Sequence, residues 1–147
     1  MEKVLALITT IMTNHTSLTE PFYEAVLKRL VSFGYELKEE DAWTVSYSIQ
    51  TVENRIRNSC NIYIIPDGLF NVAVDMVCGE FLLFKKQTGT LELANLALDG
   101  AITQIHEGDV TVAFASGMSD EEKFNQFVNY LLHNGEGDLV CYRRLNW

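Results

Sequence analysis

The stretch LFNVAVDMVCGEFLLF, residues 69–84, is the most apolar part of the chain and decides its fold. A helix that is apolar on nearly every side must be covered on nearly every side. We predict a central helix here that ends at Lys85 and Lys86, because cations favour a helix C-terminus. Since a small domain has few other elements, we expect a subunit interface to share in covering it. The predicted interface residues are Phe70, Val74, Asp75, Gly79, Glu80, Phe81 and Phe84.

Two helices are predicted at the start of the chain. Apolar residues recur at helical spacing from Val4 to Met12. A second helix is predicted to begin at Thr19 as N-cap, with Pro21 in its first turn, and to stop at Gly34. The two helices are expected to form a hairpin.

Two further helices flank the central one along the chain. One is predicted from the acidic, solvated start at residues 39–41 to about Cys60. It carries a continuous apolar stripe, formed by Val45, Ile49, Val52 and Ile56. The last helix is predicted to open on a capping box at residues 119–122 and to end at Gly135 and Gly137.

The predicted fold class is mainly α, a bundle of about five helices with a short β-hairpin and an extended C-terminal tail. Alternation in the segment TVAF, residues 111–114, indicates the hairpin, which is placed near residues 101–115. We predict a single domain over residues 1–147. It divides into an N-terminal helical hairpin at 1–38, a helical core at 39–137 and a tail at 138–147.

Composition narrows the class of protein. The chain has 147 residues, of which 48% are hydrophobic, and its 20 acidic and 11 basic residues give a net charge of −9. A protein that grips nucleic acid normally presents a basic face, so this role is disfavoured. The first residues form neither a membrane span nor a signal peptide, so we expect a cytoplasmic protein without a membrane partner.

Residue types that carry catalysis occur without a recognisable arrangement. Cys60, Cys78 and Cys141 have no metal-binding spacing, and no nucleotide, zinc-protease or hydrolase motif occurs. We expect no enzyme, no metal and no cofactor, although a cysteine paired in space with a histidine stays open. The histidines are His15, His106 and His133. Asp75 and Glu80 are expected either to point to solvent or to pair with a basic residue of this chain or a neighbour, with buried acid–base groups as the alternative.

The C-terminal tail is the strongest candidate binding segment. Tyr142 and Trp147 flank the adjacent arginines Arg143 and Arg144, and these residue types are enriched among binding anchors. The alternative is that the tail docks on its own domain as an edge strand. If the tail adds as a strand to a neighbouring subunit, it is both a binding segment and a docked edge strand.

Several sequence blocks resemble one family in order along the chain. They are VENRIRNSCN at 52–61, PDGL at 66–69, VAVDMVCGEFL at 72–82, IHEGDVTVAF at 105–114 and YRRLNW at 142–147. Together they resemble the head–tail connector proteins of tailed phages and prophages of Gram-positive bacteria. The resemblance covers roughly residues 41–147.

The resemblance implies a mostly helical virion protein that forms a dodecameric ring beneath the portal protein. This ring, at the virion neck and assembled in the host cytoplasm, would extend the channel for double-stranded DNA and carry the next neck or tail-completion protein. DNA would pass without sequence recognition. The implied portal-binding residues are Leu139, Val140, Tyr142, Arg143, Arg144, Leu145 and Trp147.

One other function fits the same composition. A small acidic intracellular adaptor or inhibitor that binds a basic protein partner shares the charge and the lack of catalytic motifs. It predicts a monomer or a dimer instead of a ring.

Overall fold

The structure, a computed structural model, describes residues 1–93, 96–98 and 119–145. The described part of the chain is helical and contains no strand, so the mainly α class is confirmed. The hairpin predicted near residues 101–115 lies outside the described residues. The helices are α1 (Glu2–Met12), α2 (Glu20–Ser32), α3 (Asp41–Cys60), α4 (Phe70–Gln87), α5 (Asp120–His133) and α6 (Glu136–Cys141). A short 3₁₀ turn, Asp67–Leu69, precedes α4.

Local sequence signals set the helix ends. Thr19 is the extended N-cap residue of α2. Ser119 accepts a hydrogen bond from the Glu122 N–H at 3.2 Å, as the capping box at the start of α5 predicts. Asn61 ends α3 in the left-handed conformation with φ of 55°, which asparagine adopts more readily than most residues.

The central position of α4 is confirmed, and its cover comes from the same chain. α4 packs against α2, α3 and α5, while α1 packs against α2 and α3. The predicted stripe of α3 is fully inside the core, since Val45, Ile49, Val52 and Ile56 are all buried. None of the described helices has the length and apolar character needed to cross a membrane.

The start of α3 differs from the prediction of a solvated acidic cluster. Asp41 is completely buried, and its Oδ1 lies 3.0 Å from Lys85 Nζ on α4. Its Oδ2 accepts hydrogen bonds from Tyr35 Oη and from the Lys38 N–H, both at 2.9 Å. Burial and the nearby Asp41 carboxylate raise the pKa of Tyr35. The prediction is wrong for Asp41 because these three donors satisfy the carboxylate inside the core.

A second buried carboxylate joins the N-terminal hairpin to α3. Glu53 is buried and accepts hydrogen bonds from the Thr16 hydroxyl and from the Ser17 N–H, the latter at 3.4 Å. Arg57, one turn further along α3, lies 3.4 Å from the same carboxylate. The loop between α1 and α2 is therefore fixed to α3.

The prediction of an extended tail over residues 138–147 is wrong for its first part. Residues Glu136–Cys141 form α6, whose first turn carries the acidic residues Glu136 and Asp138. Acidic side chains favour this position because of the helix dipole. Leu139 is buried, and α6 packs against α3. Burial of Leu139 against the core stabilises the folded-back helix relative to an extended tail.

Candidate functional site

Three of the predicted interface residues of α4 lie inside the subunit. Val74 and Phe81 are buried, and Phe81 packs edge-on against Tyr35 with ring centroids 5.1 Å apart. Gly79 is buried beside α5, where an added Cβ would lie 3.0 Å from Leu132 Cγ. These three residues are already covered by their own chain.

The other apolar candidates on α4 are partly exposed. Phe70 packs edge-on against Phe22, with ring centroids 5.4 Å apart, and keeps part of its surface open to solvent. Phe84, near the end of the helix, is also half-buried. Both stay candidates for contact with another subunit.

Asp75 and Glu80 are paired with arginines, which is one of the arrangements that the sequence analysis left open. Asp75 Oδ1 lies 3.0 Å from Arg29 Nε, and Glu80 Oε1 lies 2.6 Å from Arg55 Nη1. Burial raises the pKa of Asp75, and Arg29 opposes that shift. Each carboxylate therefore has a local electrostatic partner on a neighbouring helix.

Among the described residues, no hydrogen bond joins a cysteine to a histidine. Cys60 and Cys78 are buried, and burial raises the pKa of both thiols, which disfavours a thiolate nucleophile. Cys141 is exposed. His133 Nδ1 lies 2.7 Å from Glu136 Oε1, across the junction of α5 and α6.

The two other histidines of the chain are His15 and His106. His15 is exposed, and His106 lies outside the described residues. No group of three or more His, Cys, Asp or Glu side chains suited to a metal ion occurs within residues 1–93, 96–98 and 119–145.

Apolar side chains, most of them exposed, lie with one arginine where the loop between α3 and α4 meets the tail. We call this the loop–tail surface; it consists of Ile62, Tyr63, Ile64, Pro66, Tyr142 and Arg144, together with the exposed Leu145 that follows Arg144 in the chain. Tyr63 is 84% exposed, Ile64 71% and Leu145 69%. Contiguous exposed apolar surface commonly marks a protein–protein contact.

The tail reaches this surface by binding the C-terminal end of α3. The Arg144 N–H donates to the Cys60 carbonyl at 2.7 Å, and Asn61 Nδ2 donates to the Arg144 carbonyl at 3.4 Å. The Tyr142 ring lies against Gly68, where an added Cβ would overlap the tyrosine oxygen. The described part of the tail thus docks on its own domain, as the alternative interpretation predicted, but without forming an edge strand.

The two tail arginines differ from the other arginines of the chain. Arg29, Arg55 and Arg57 each lie within salt-bridge distance of a carboxylate. Within the part of the chain that the structure describes, neither Arg143 nor Arg144 has such a partner, although Arg143 Nε donates to the Ser59 carbonyl at 3.2 Å. Both arginines are exposed. The acidic protein therefore presents two uncompensated positive charges together.

The predicted tail residues separate by exposure. Val140, Tyr142, Arg143, Arg144 and Leu145 are exposed. Leu139 is buried against the subunit's own core, and its carbonyl accepts from Cys60 Sγ at 3.2 Å. Trp147 lies outside the described residues.

Sequence reasoning missed Tyr63 and Ile64, which it treated as part of a connector. The available signal was the segment IYII, residues 62–65, an apolar run in a place where a solvated loop normally carries polar residues. Because Tyr63 and Ile64 are exposed, this segment is an open apolar loop and not a buried strand.

No family model, curated protein or solved structure matches this chain, so its function is inferred from the surfaces described above.

Proposed function

We propose that this protein is a structural virion protein, the head–tail connector subunit of a tailed phage or prophage. Copies form a ring on the portal protein at the virion neck, extend the DNA channel and provide the platform for the next neck or tail-completion protein. The loop–tail surface is the part of each subunit that contacts the portal.

The observation that carries this proposal is the combination of exposed apolar side chains and one unpaired arginine, Arg144, on the loop–tail surface. Tyr63, Ile64 and Leu145 offer apolar area, and Arg144 offers a guanidinium without a carboxylate partner among the described residues. Aromatic and arginine side chains are the most frequent energetic anchors of protein interfaces. Such a surface suits a partner that combines apolar pockets with carboxylates or carbonyls.

The charge of the chain supports the role of a channel wall. A subunit with a net charge of −9 repels phosphates, and a ring multiplies that charge. Double-stranded DNA would pass such a wall without being held. The two exposed tail arginines would meanwhile be used for contact with protein.

The direct test is assembly with the portal protein of the same phage or prophage. Purified subunit and portal are mixed and examined by light scattering and negative-stain microscopy. We expect closed rings of the subunit stacked on the portal. Subunits that stay monomeric and ignore the portal would overturn the proposal, and a one-to-one complex with a basic protein would favour the acidic adaptor.

A point substitution assigns the contact to the loop–tail surface. Arg144→Glu reverses a charge that no carboxylate of the described chain neutralises, and we expect it to abolish portal binding while the helical content stays constant. Lys38→Glu is the matched control, because Lys38 is an exposed cation at the opposite end of α3. Truncation of the tail is a poorer test, since α6 buries Leu139 in the core.

A further inference from the structure

A second groove lies between the tail and helices α3, α4, α5 and α6. Its volume is about 560 Å³. Met76, Leu132, Leu139 and Val140 give it an apolar lining, and Arg55 and Arg143 also line it. Arg144 does not line this groove, because it belongs to the loop–tail surface. Adjacent arginines of the tail therefore serve two different surfaces.

Two carboxylates and two arginines line the groove, and Arg143 is the arginine without a carboxylate within salt-bridge distance among the described residues. Glu80 is engaged by Arg55 at 2.6 Å, and Glu136 is engaged by His133 at 2.7 Å. Arg143 is bound by its Nε to the Ser59 carbonyl. Its two terminal nitrogens have no hydrogen-bond partner among the described residues, since that Nε contact is the one its guanidinium makes there. A guanidinium fixed through Nε keeps its outer donors for a carboxylate.

We propose that this groove binds an acidic, aliphatic peptide segment of a protein partner. The aliphatic side chain of the segment packs among Met76, Leu132 and Val140, and its neighbouring carboxylate binds the outer nitrogens of Arg143. The site is separate from the loop–tail surface and does not depend on ring formation. It gives the protein a second docking position.

The test uses three short, fluorescently labelled peptides and the full chain. One peptide alternates leucine and glutamate, the second alternates leucine and lysine, and the third alternates serine and glutamate. Fluorescence anisotropy measures binding. We expect the leucine–glutamate peptide to bind about tenfold or more tightly than either other peptide, because only it supplies both the apolar and the anionic group.

Two substitutions in the groove assign the binding. Arg143→Gln removes the cation, and we expect it to weaken binding of the leucine–glutamate peptide about tenfold or more. Val140→Asp places a carboxylate in the groove while keeping the contact between Arg143 and Ser59, and we expect a comparable loss. Val140 is exposed, so this variant should keep its fold. Lys38→Gln, a charge removal at the opposite end of α3, is the control.

Three results would overturn the proposal. The first is equal binding of the acidic and the basic leucine peptides. The second is unchanged binding in both Arg143→Gln and Val140→Asp. The third is a loss in Arg144→Gln instead, which would move the peptide to the loop–tail surface. None of these results bears on ring assembly with the portal, so the two proposals fail independently.

Discussion

Helix α4 and the loop–tail surface are both rich in apolar residues, yet one is covered and the other is open. On α4, Phe81 has no exposed surface because α2, α3 and α5 surround the helix. On the loop–tail surface, Tyr63 and Ile64 are mostly exposed. Apolar density in a sequence thus indicates that cover is needed, but tertiary packing decides whether the same chain provides it. The apolar surface left open for contact with another protein therefore lies on the loop–tail surface and, on α4, at the partly exposed Phe70 and Phe84.

The largest effect is expected where α4 carries a buried charge. Lys85→Met removes the ammonium that lies 3.0 Å from Asp41 and leaves a fully buried carboxylate without its cation. Breaking one partner of a buried pair typically costs about 3–5 kcal/mol. Urea unfolding followed by circular dichroism should show this loss in the free energy of unfolding.

The next lysine along α4 is a matched control for that measurement. Lys86 lies 3.1 Å from Glu121, whose side chain is exposed. Lys86→Met should change the free energy of unfolding by about 0.2–1 kcal/mol, as for other exposed pairs. Equal losses in the two variants would mean that the pair of Lys85 and Asp41 is not buried in solution.

Gly79 tests whether α4 is covered from within the subunit. Gly79→Ala places a Cβ 3.0 Å from Leu132 and 3.1 Å from Leu131 Cβ, so these leucines must shift by a few tenths of an ångström. Overpacking costs about 1–3 kcal/mol, and replacing glycine by alanine inside a helix returns about 1 kcal/mol, so the expected net loss is about 2 kcal/mol or less. We expect that loss in the unfolding of the monomer, measured by urea titration.

A second substitution tests whether the loss in Gly79→Ala comes from the contact with Leu132. Leu132→Ala in the Gly79→Ala background removes one of the two contacts and should restore part of the stability. If Gly79→Ala instead left the monomer unchanged and blocked only its assembly, Gly79 would lie at a subunit interface.

The sequence predicted the helices well because their signals are local. The apolar stripe of α3 and the capping box at Ser119 each depend on residues within a few turns, and both are found. The buried contact of Asp41 with Lys85 was not predictable, because the two residues are 44 positions apart. Likewise, nothing local distinguishes the buried Leu139 from the exposed Val140, since folding of α6 onto α3 decides which is covered.

The candidate site was predicted only in part for the same reason, because residue type is a local signal and contacts between distant residues are not. Arg143 and Arg144 were selected by residue type, and their exposure agrees with that choice. The absence of carboxylate partners for them in the described part of the chain could be seen only after the other arginines had been placed. Tyr63 and Ile64 were missed because a short apolar run is equally compatible with burial.

A smaller, pH-dependent effect is expected at Asp75 on α4. Burial raises the pKa of Asp75 above the ordinary value of 3.8 for an aspartate. A folded-state pKa above the unfolded value contributes stability that is complete below the unfolded pKa and is lost as pH rises through the folded pKa. The free energy of unfolding of the wild type, relative to Asp75→Asn, should therefore increase as pH falls from neutrality towards 3.8.

The control for the Asp75 experiment is Glu36→Gln, which removes one exposed carboxylate. It accounts for the general change in net charge over the same pH range. A difference between wild type and Asp75→Asn that is flat across the range, or that decreases as pH falls, would contradict the raised pKa.

The smallest effect on stability, and the sharpest contrast with α4, is expected at the loop. Tyr63→Ser combined with Ile64→Ser should change the free energy of unfolding by about 0.5 kcal/mol or less, because exposed side chains lose little contact. Binding to the portal, measured by co-sedimentation, should nevertheless be lost. The control is Trp43→Ser combined with Tyr47→Ser, a stacked and exposed pair in the first half of α3, about 20–25 Å along the helix from Cys60. If that control pair abolished portal binding and the loop pair did not, the docking surface would lie on the first half of α3. The exposed apolar residues of the loop would then be incidental to assembly.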